Sequence, residues 1–283
     1  MKLNSERFRV RKNQKVDLAK WPARIDPAYE DESGYKGLLA SQRDELAEQQ
    51  ELLYADGRYA LLVVLQGMDT SGKDGVIKHV MSGVNPQGLQ VHSFKRPGAE
   101  EYAHDFLWGP IRRLPPRGHI GIFNRSYYEE VLVVRVHPEI LRSQRIPHED
   151  ADPKTIWRSR YHSIRALEEH LHGNGTRIIK FFLHVSKGEQ GRRLLARLED
   201  PKKRWKFNPG DLAERKLWNK YMRAYADCLS ATSEDRAPWY VVPADDKRNA
   251  RLIISRIVVE ALKALPLAFP KIKRPKGFKL IRA

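Results

Sequence analysis

The chain has 283 residues, 41% of them hydrophobic, enough for one large α/β domain with a sizeable core. Its single cysteine, Cys228, excludes a disulfide within the chain, and no run of about 18 apolar residues is present to cross a membrane. An excess of 52 Lys and Arg over 35 Asp and Glu gives a formal charge of +17, which attracts polyanions whatever chemistry links their phosphates.

Residues 1–38 are polar and dotted with proline, and predict an arm wrapped over the domain. The opening MKLNSERFRVRKNQKVDL is positive but has no apolar stretch behind it, so it is not expected to be a secretory signal. Leu39, Leu46 and Leu53 predict a helix over 39–57. Ala60–Leu65 is a continuous apolar run, as a central parallel strand requires, and Val76, Ile77, Val80, Met81 and Val84 then recur at helical spacing. A short strand near Leu89–Phe94, a helix near Glu100–Trp108 and a buried strand at His119–Phe123 follow. VLVVRV (131–136) has the composition of a strand, but Ser126 followed by Glu129 reads as a capping box, so a buried helix is expected. RIIKFFLHV (177–185) is the clearest strand, and Ser186 with Glu189 marks the next helix start. Asp211 with Glu214 resembles a third box, ahead of a helix with Trp218, Tyr221, Met222, Tyr225 and Leu229 on one side. PWYVVP (238–243) supplies a fifth strand.

Alternating strands and helices predict a parallel sheet covered on both faces: a three-layer α/β/α fold with five central strands. Three regions are expected: an arm and helix at 1–57, a core at 58–270 and a basic tail at 271–283. Within the core, Arg192, Arg193, Arg197, Lys202, Lys203, Arg204 and Lys206 mark a basic helical insertion of about 187–232 between the last two strands.

The segment LLVVLQGMDTSGKDGVIKHV (61–80) nearly matches a phosphate-binding loop. Gly67, Gly72 and Lys73 fit the pattern, and with Ser71 they are the phosphate-binding candidates. A strand, a glycine-bearing turn and a helix start direct unpaired N–H groups and a helix dipole at an anion. Where the pattern wants Ser or Thr stands Asp74, which either ligates magnesium or complements the helix dipole. Asp69 lies inside the loop. A carboxylate there repels phosphate unless a metal lies between them, so Asp69 is a candidate magnesium ligand or proton acceptor.

The third strand ends at Asn124, where a phosphate-loop enzyme usually has Asp. Arg125 beside it can hold phosphate oxygens bidentately, and Glu129 is a second candidate metal ligand, although capping explains it equally well. Asn219-Lys220 is not followed by Asp two places on, so the guanine-reading element of GTPases is not visible. No glutamate directly follows the third strand to activate water. Both absences favour transfer between phosphates over hydrolysis.

QGMDTSGKDG (66–75), NPQGLQVHSFKRP (85–97), FNRSYYEEVLVVRVHP (123–138), KFFLHVSKGEQ (180–190) and RWKFNPGDLAER (204–215) together resemble the polyphosphate kinase 2 family over roughly 35–270. The resemblance implies a P-loop kinase fold, thymidylate-kinase-like, with a helical lid. It also implies phosphate transfer between inorganic polyphosphate and the adenine nucleotides AMP, ADP and ATP, with Mg2+. By motif match Asp69 and Lys73 are the loop's catalytic pair, Asn124 and Arg125 match the second motif, and the basic insertion matches the lid. Asn124 in place of Asp resembles the subgroup that phosphorylates AMP as well as ADP. One departure stands near PADDKRNARL (243–252), where relatives tend to carry an aromatic pair after the Lys and this chain has Arg248 and Asn249.

The mechanism expected from this is a polyphosphate lying in a basic channel, with Lys95, Arg96, Arg112, Arg113 and Arg135 as channel candidates. Arg193, Arg197 and Lys203 are the lid cations expected to close over the reacting group. A cytoplasmic homo-oligomer, dimer or tetramer, is expected, without nucleic acid or membrane as partner. Two rivals remain. One is an ATP-dependent nucleotide kinase of similar fold. The other is a basic nucleic-acid-binding module, disfavoured because the aromatics fall at core spacing rather than among exposed cations.

Overall fold

Strand β2 (Ala60–Gln66) is buried along its whole length, because it is central in the sheet and covered on both faces. The computed structural model that shows this describes residues 4–144, 146–147, 152 and 155–273. The expected basic tail therefore lies, beyond Lys273, outside the described residues.

In chain order the elements are β1 (Arg9–Val10), α1 (Glu32–Asp56), β2, α2 (Lys73–Val80), β3 (Leu89–Ser93), α3 (Ala99–Tyr102), α4 (Trp108–Ile111) and β4 (Ile120–Asn124). There follow α5 (Glu129–Val136), α6 (Pro138–Ser143), α7 (Ile156–Gly173), β5 (Thr176–His184), α8 (Lys187–Glu199), α9 (Gly210–Lys216), α10 (Trp218–Thr232), β6 (Trp239–Pro243) and α11 (Lys247–Lys263). The sheet order is β1-β6-β5-β2-β4-β3. Five strands are parallel, as expected. The sixth, β1, was not foreseen; it pairs antiparallel with β6 at the sheet edge, Arg9 opposite Tyr240. Helices α1, α2 and α11 pack together on one face, and α5, α7 and α10 on the other. No helix among the described residues is long and apolar enough to cross a membrane.

Helix α1 begins seven residues before the expected start, because Asp31 caps it by accepting from Gly34 N at 2.7 Å. Its Leu46 and Leu53 are fully buried, each stabilising the fold by about 1.5–3 kcal/mol. The helix expected near 100–108 is two short helices, α3 and α4. VLVVRV is helical, within α5, but Ser126 is not its cap: Tyr128 is the N-cap residue, and Ser126 Oγ accepts from Tyr128 N. Ser186 does cap α8, accepting from Glu189 N at 3.1 Å. Its own N–H goes to Asp245 rather than back to Glu189. Asp211 caps nothing, since α9 starts at Gly210 behind Pro209.

Arg248 and Asn249 fasten the N-terminal arm. Buried Asn249 accepts from Ala28 N at 2.8 Å and donates to Asp26 O at 3.1 Å. The Arg248 guanidinium lies over the Tyr35 ring at 5.5 Å and pairs with Glu32.

Candidate active site

In parallel sheets ligands bind at the carboxyl ends of the strands, and here β2 and β4 end side by side, Leu65 opposite Asn124. Arg125 N donates to Leu65 O at 3.0 Å, so the second motif is bonded directly to the strand that carries the loop. Two loop positions demand glycine. Gly72 has φ +114°, and a Cβ on Gly67 would lie 2.8 Å from Ser71 Oγ and 3.0 Å from Leu183 O. Thr70 and Arg125 adopt φ +63° and +64°, left-handed backbone that non-glycine residues hold only when their surroundings compel it.

Lys73, at the first turn of α2, is only 8% exposed and turns back into the loop. Its Nζ donates to Gly67 O at 2.7 Å and Met68 O at 3.3 Å. Burial, aided by the Arg125 charge and opposed by Asp69, Glu129 and Asp74, pulls its pKa down to about 8. Ser71 Oγ, Thr70 Oγ1 and Gln66 Oε1 are buried here without a protein partner. Hydroxyl groups so placed can donate to phosphate oxygens.

Asp69 does not stand unopposed in the loop. Arg125 donates through Nη2 to Asp69 Oδ1 at 2.6 Å and through Nη1 to Glu129 Oε2 at 3.1 Å. Glu129 first, and Asp69 after burial's opposing effect, hold the guanidinium proton more tightly than usual. Asn124 Nδ2 donates to Asp74 Oδ1 at 2.8 Å. Asp69, Arg125 and Glu129 thus form one bonded group and Asn124 and Asp74 a second, and Lys73 feels the charges of both.

A cavity of about 990 Å³ opens from Arg125 and Glu129. Lys95 and Arg96 line it, as do the apolar side chains of Phe94, Tyr102, Phe106 and Val133. Its volume and mixed lining suit a small organic ligand with a charged end. Arg160 forms part of its wall, held by Glu130 at 2.9 Å and Gln144 at 2.6 Å.

The other expected cations stand elsewhere. Arg112 and Arg113 line a neighbouring groove of about 310 Å³ between α3 and α4. Arg112 pairs there with Glu100 and lies over Trp108 at 4.6 Å. Arg135 is taken up by Tyr161 at 2.8 Å and Asp227 at 2.6 Å, where it ties α5 to α7 and α10. Lys203 pairs with Asp200 on the surface, and Arg197 joins Lys206 O at 3.2 Å to Asp211 at 3.3 Å within the insertion.

Arg193 was expected over the reacting group. It lies instead buried under the loop, with all its donors committed. Nη1 donates to Thr70 O and Ser71 O at 3.0 and 2.9 Å, Nη2 to Ala244 O and Asp245 O at 2.6 and 3.1 Å, and Nε to Glu189 at 2.7 Å. It is a brace joining α8, the loop and the end of β6.

Sequence reasoning missed several residues. Gln190 reaches Asp69 O at 3.4 Å, and Gln66 donates to Ser126 Oγ at 3.1 Å, linking the two strand tips. His137 Nε2 donates to Glu214 Oε2 at 2.9 Å, joining the end of α5 to α9, and both line the cavity. Only the neighbouring motifs hinted at these roles.

A family model described as polyphosphate kinase 2 matches residues 29–268. The chain belongs to the polyphosphate kinase 2 family. It is therefore a phosphotransferase of the polyphosphate kinase 2 type. An ADP-polyphosphate phosphotransferase of Rhodopseudomonas palustris is 56% identical over 96% of this chain and 94% of its own length. An AMP/ADP-polyphosphate phosphotransferase of Meiothermus ruber is 42% identical, covering 94% and 96%. A crystal structure of polyphosphate kinase 2 from Arthrobacter aurescens superimposes with a TM-score of 0.86 at 40% identity, over 96% of this chain and 93% of that one. This kinase therefore carries the P-loop kinase fold over nearly its whole described length.

Proposed function

We propose that this polyphosphate-dependent nucleotide phosphotransferase moves the terminal phosphate of inorganic polyphosphate to ADP and to AMP, giving ATP and ADP, reversibly and with magnesium. The observation that carries the reading is the pairing of Arg125 with Asp69 across the tips of β4 and β2, next to Lys73 and at the mouth of the cavity. It sets a phosphate-holding loop beside a cation that can hold a second phosphate. ADP as acceptor is supported by the Rhodopseudomonas palustris relative at 56% identity. AMP as a further acceptor is supported by the Meiothermus ruber relative and by the uncharged Asn124 at the end of β4.

Each residue's part follows from its chemistry. The loop N–H groups, Ser71 and Lys73 hold the terminal phosphates of the polymer. Arg125 exchanges a carboxylate partner for the acceptor phosphate and keeps it in line. The cavity takes the nucleoside, and Lys95 and Arg96 at its rim draw in anions. Arg197 and Lys203 belong to the insertion that closes over the site and excludes water. Phosphoryl transfer needs little covalent help, so position and charge neutralisation supply most of the rate.

The donor set fits magnesium. Asp69 and Glu129 each keep a second carboxylate oxygen beyond the one facing Arg125. Among the described residues no three of His, Cys, Asp and Glu form a cage, and magnesium characteristically completes its shell with phosphate and water. Asp69 and Glu129 would hold it, and its charge would neutralise phosphate oxygens. We further propose a homo-oligomer, dimer or tetramer.

The test supplies AMP, ADP, GMP and GDP separately with polyphosphate and magnesium, and resolves the products. ATP from ADP and ADP from AMP are expected. Unchanged nucleotides in every case would refute the reading. Rapid ADP formation from ATP and AMP without polymer would instead indicate an ATP-dependent nucleotide kinase.

A further inference from the structure

The residue after Lys73 is Asp where the loop pattern wants Ser or Thr, and β4 ends in Asn where Asp is usual. As sequence these are two separate departures, 50 residues apart. In the fold they meet: Asn124 Nδ2 donates to Asp74 Oδ1 at 2.8 Å, with Ser93 Oγ at the tip of β3 a weaker partner at 3.5 Å.

The pair is asymmetric in a useful way. An ionised carboxylate only accepts hydrogen bonds, whereas a carboxamide both donates and accepts. Asp74 can therefore be satisfied by just one of the two flips of the Asn124 amide, the one that turns Nδ2 toward it. The carbonyl Oδ1 is then left as a neutral acceptor at the tip of β4, one residue before Arg125, which lines the cavity. With a carboxamide at position 74, both flips would satisfy the pair and the orientation would be lost. With a carboxylate at 124, two like charges would stand at hydrogen-bond distance.

We propose that Asp74 is a positioning residue for the acceptor site: it fixes the Asn124 amide in one orientation, so that a neutral acceptor rather than a negative charge faces the incoming nucleotide phosphates. This deepens the phosphotransferase reading and rests on it. The role also explains why the two departures occur together in this chain. A negative charge is kept, but on α2 rather than at the tip of β4, where it would repel the nucleotide.

The test uses three variants of the full chain: Asp74→Asn, Asn124→Asp and the double exchange. Melting without substrate or metal reads the pair alone, so its outcome does not depend on the phosphotransferase reading. Asn124→Asp is expected to melt roughly 5 °C lower, and the double exchange to recover most of that loss, because Asn at 74 then donates to Asp at 124. Asp74→Asn keeps size and hydrogen bond, and is expected to melt like the parent. With polyphosphate saturating, however, its KM for ADP should fall on the order of fivefold, because Asn124 Nδ2 is then free to turn and donate to the nucleotide phosphates. A purely structural Asp74 would leave that KM in place. Parental kinetics in Asp74→Asn would overturn the proposal, as would parental melting in Asn124→Asp or no recovery in the double exchange.

Discussion

Arg125 and Asp69 lie 56 positions apart in the chain and are joined by a hydrogen bond of 2.6 Å from Nη2 to Oδ1. An acid in a phosphate loop is thereby neutralised by the cation at the neighbouring strand tip. Arg125 itself adopts left-handed backbone, with its N–H bonded to Leu65 O. Under the proposed function, substrate phosphate and Asp69 would compete for one guanidinium.

That competition has a sign. Asp69→Asn removes a negative charge from the loop, so polyphosphate should bind more tightly than to the parent when magnesium is chelated. Turnover with magnesium should nevertheless fall by about a hundredfold or more, because an organising charge is gone from the reacting centre. Fluorescence anisotropy of labelled polyphosphate in chelator, beside an ATP-formation assay, checks both. Weaker binding in chelator would mean that Asp69 does not face the polymer.

Lys73 should take up a proton when polyphosphate binds. Its pKa is lowered to about 8 in the ligand-free fold, chiefly by burial. Bound phosphate favours the charged form, so at pH 8 about half a proton enters per site. Calorimetry in buffers of different ionisation enthalpy measures it, with Lys73→Met as the control that abolishes the uptake. For stability the direction is opposite to that of a paired lysine. The cost of a charged buried Lys73 is present below about pH 8 and is relieved as pH rises toward the unfolded value near 10.4.

Arg193→Met should destabilise the fold rather than only slow the reaction. It strips hydrogen bonds from the carbonyls of Thr70, Ser71, Ala244 and Asp245 at once. A loss of about 3 kcal/mol is expected, read by urea unfolding. A variant of parental stability with lost turnover would return Arg193 to the reacting group.

The join between α5 and α9 should loosen as pH rises. Burial alone would lower the His137 pKa, but hydrogen bonds and charge from Glu214 and Glu139 outweigh it, and the net shift is upward. A raised folded pKa gives stability that is full below the ordinary histidine value near 6.5 and lost as pH rises through the folded pKa. Amide exchange across Gly210–Lys216 should therefore quicken, beyond the intrinsic pH effect, between about pH 6 and 8. His137→Gln should remove that excess.

Much of this was legible in sequence because it is local. The apolar run ending in Gln66, the glycines, Lys73 and the helical spacing after it specify strand, turn and helix within about 20 residues, and with them an anion site. VLVVRV was rightly read as helix although its residues favour strands. The two-residue strand β1 was invisible, since Arg9 and Val10 are too few to show a period and pair only because β6 offers an edge.

Which charges do chemistry and which hold the fold was decided by contacts across long sequence distances. Lys180 lies mid-strand in an apolar run, and nothing nearby in sequence explains it. In the fold it is fully buried, bonded to Glu168 at 2.6 Å, Tyr128 OH at 2.9 Å and Thr232 O at 2.8 Å. Arg193 and Arg135 look like Arg96 as letters, yet the first two are spent on internal partners and only Arg96 lines the cavity. An isolated basic residue carries the same charge wherever it stands. Its neighbours, brought close by the order of strands in the sheet, determine whether that charge is free to meet a phosphate.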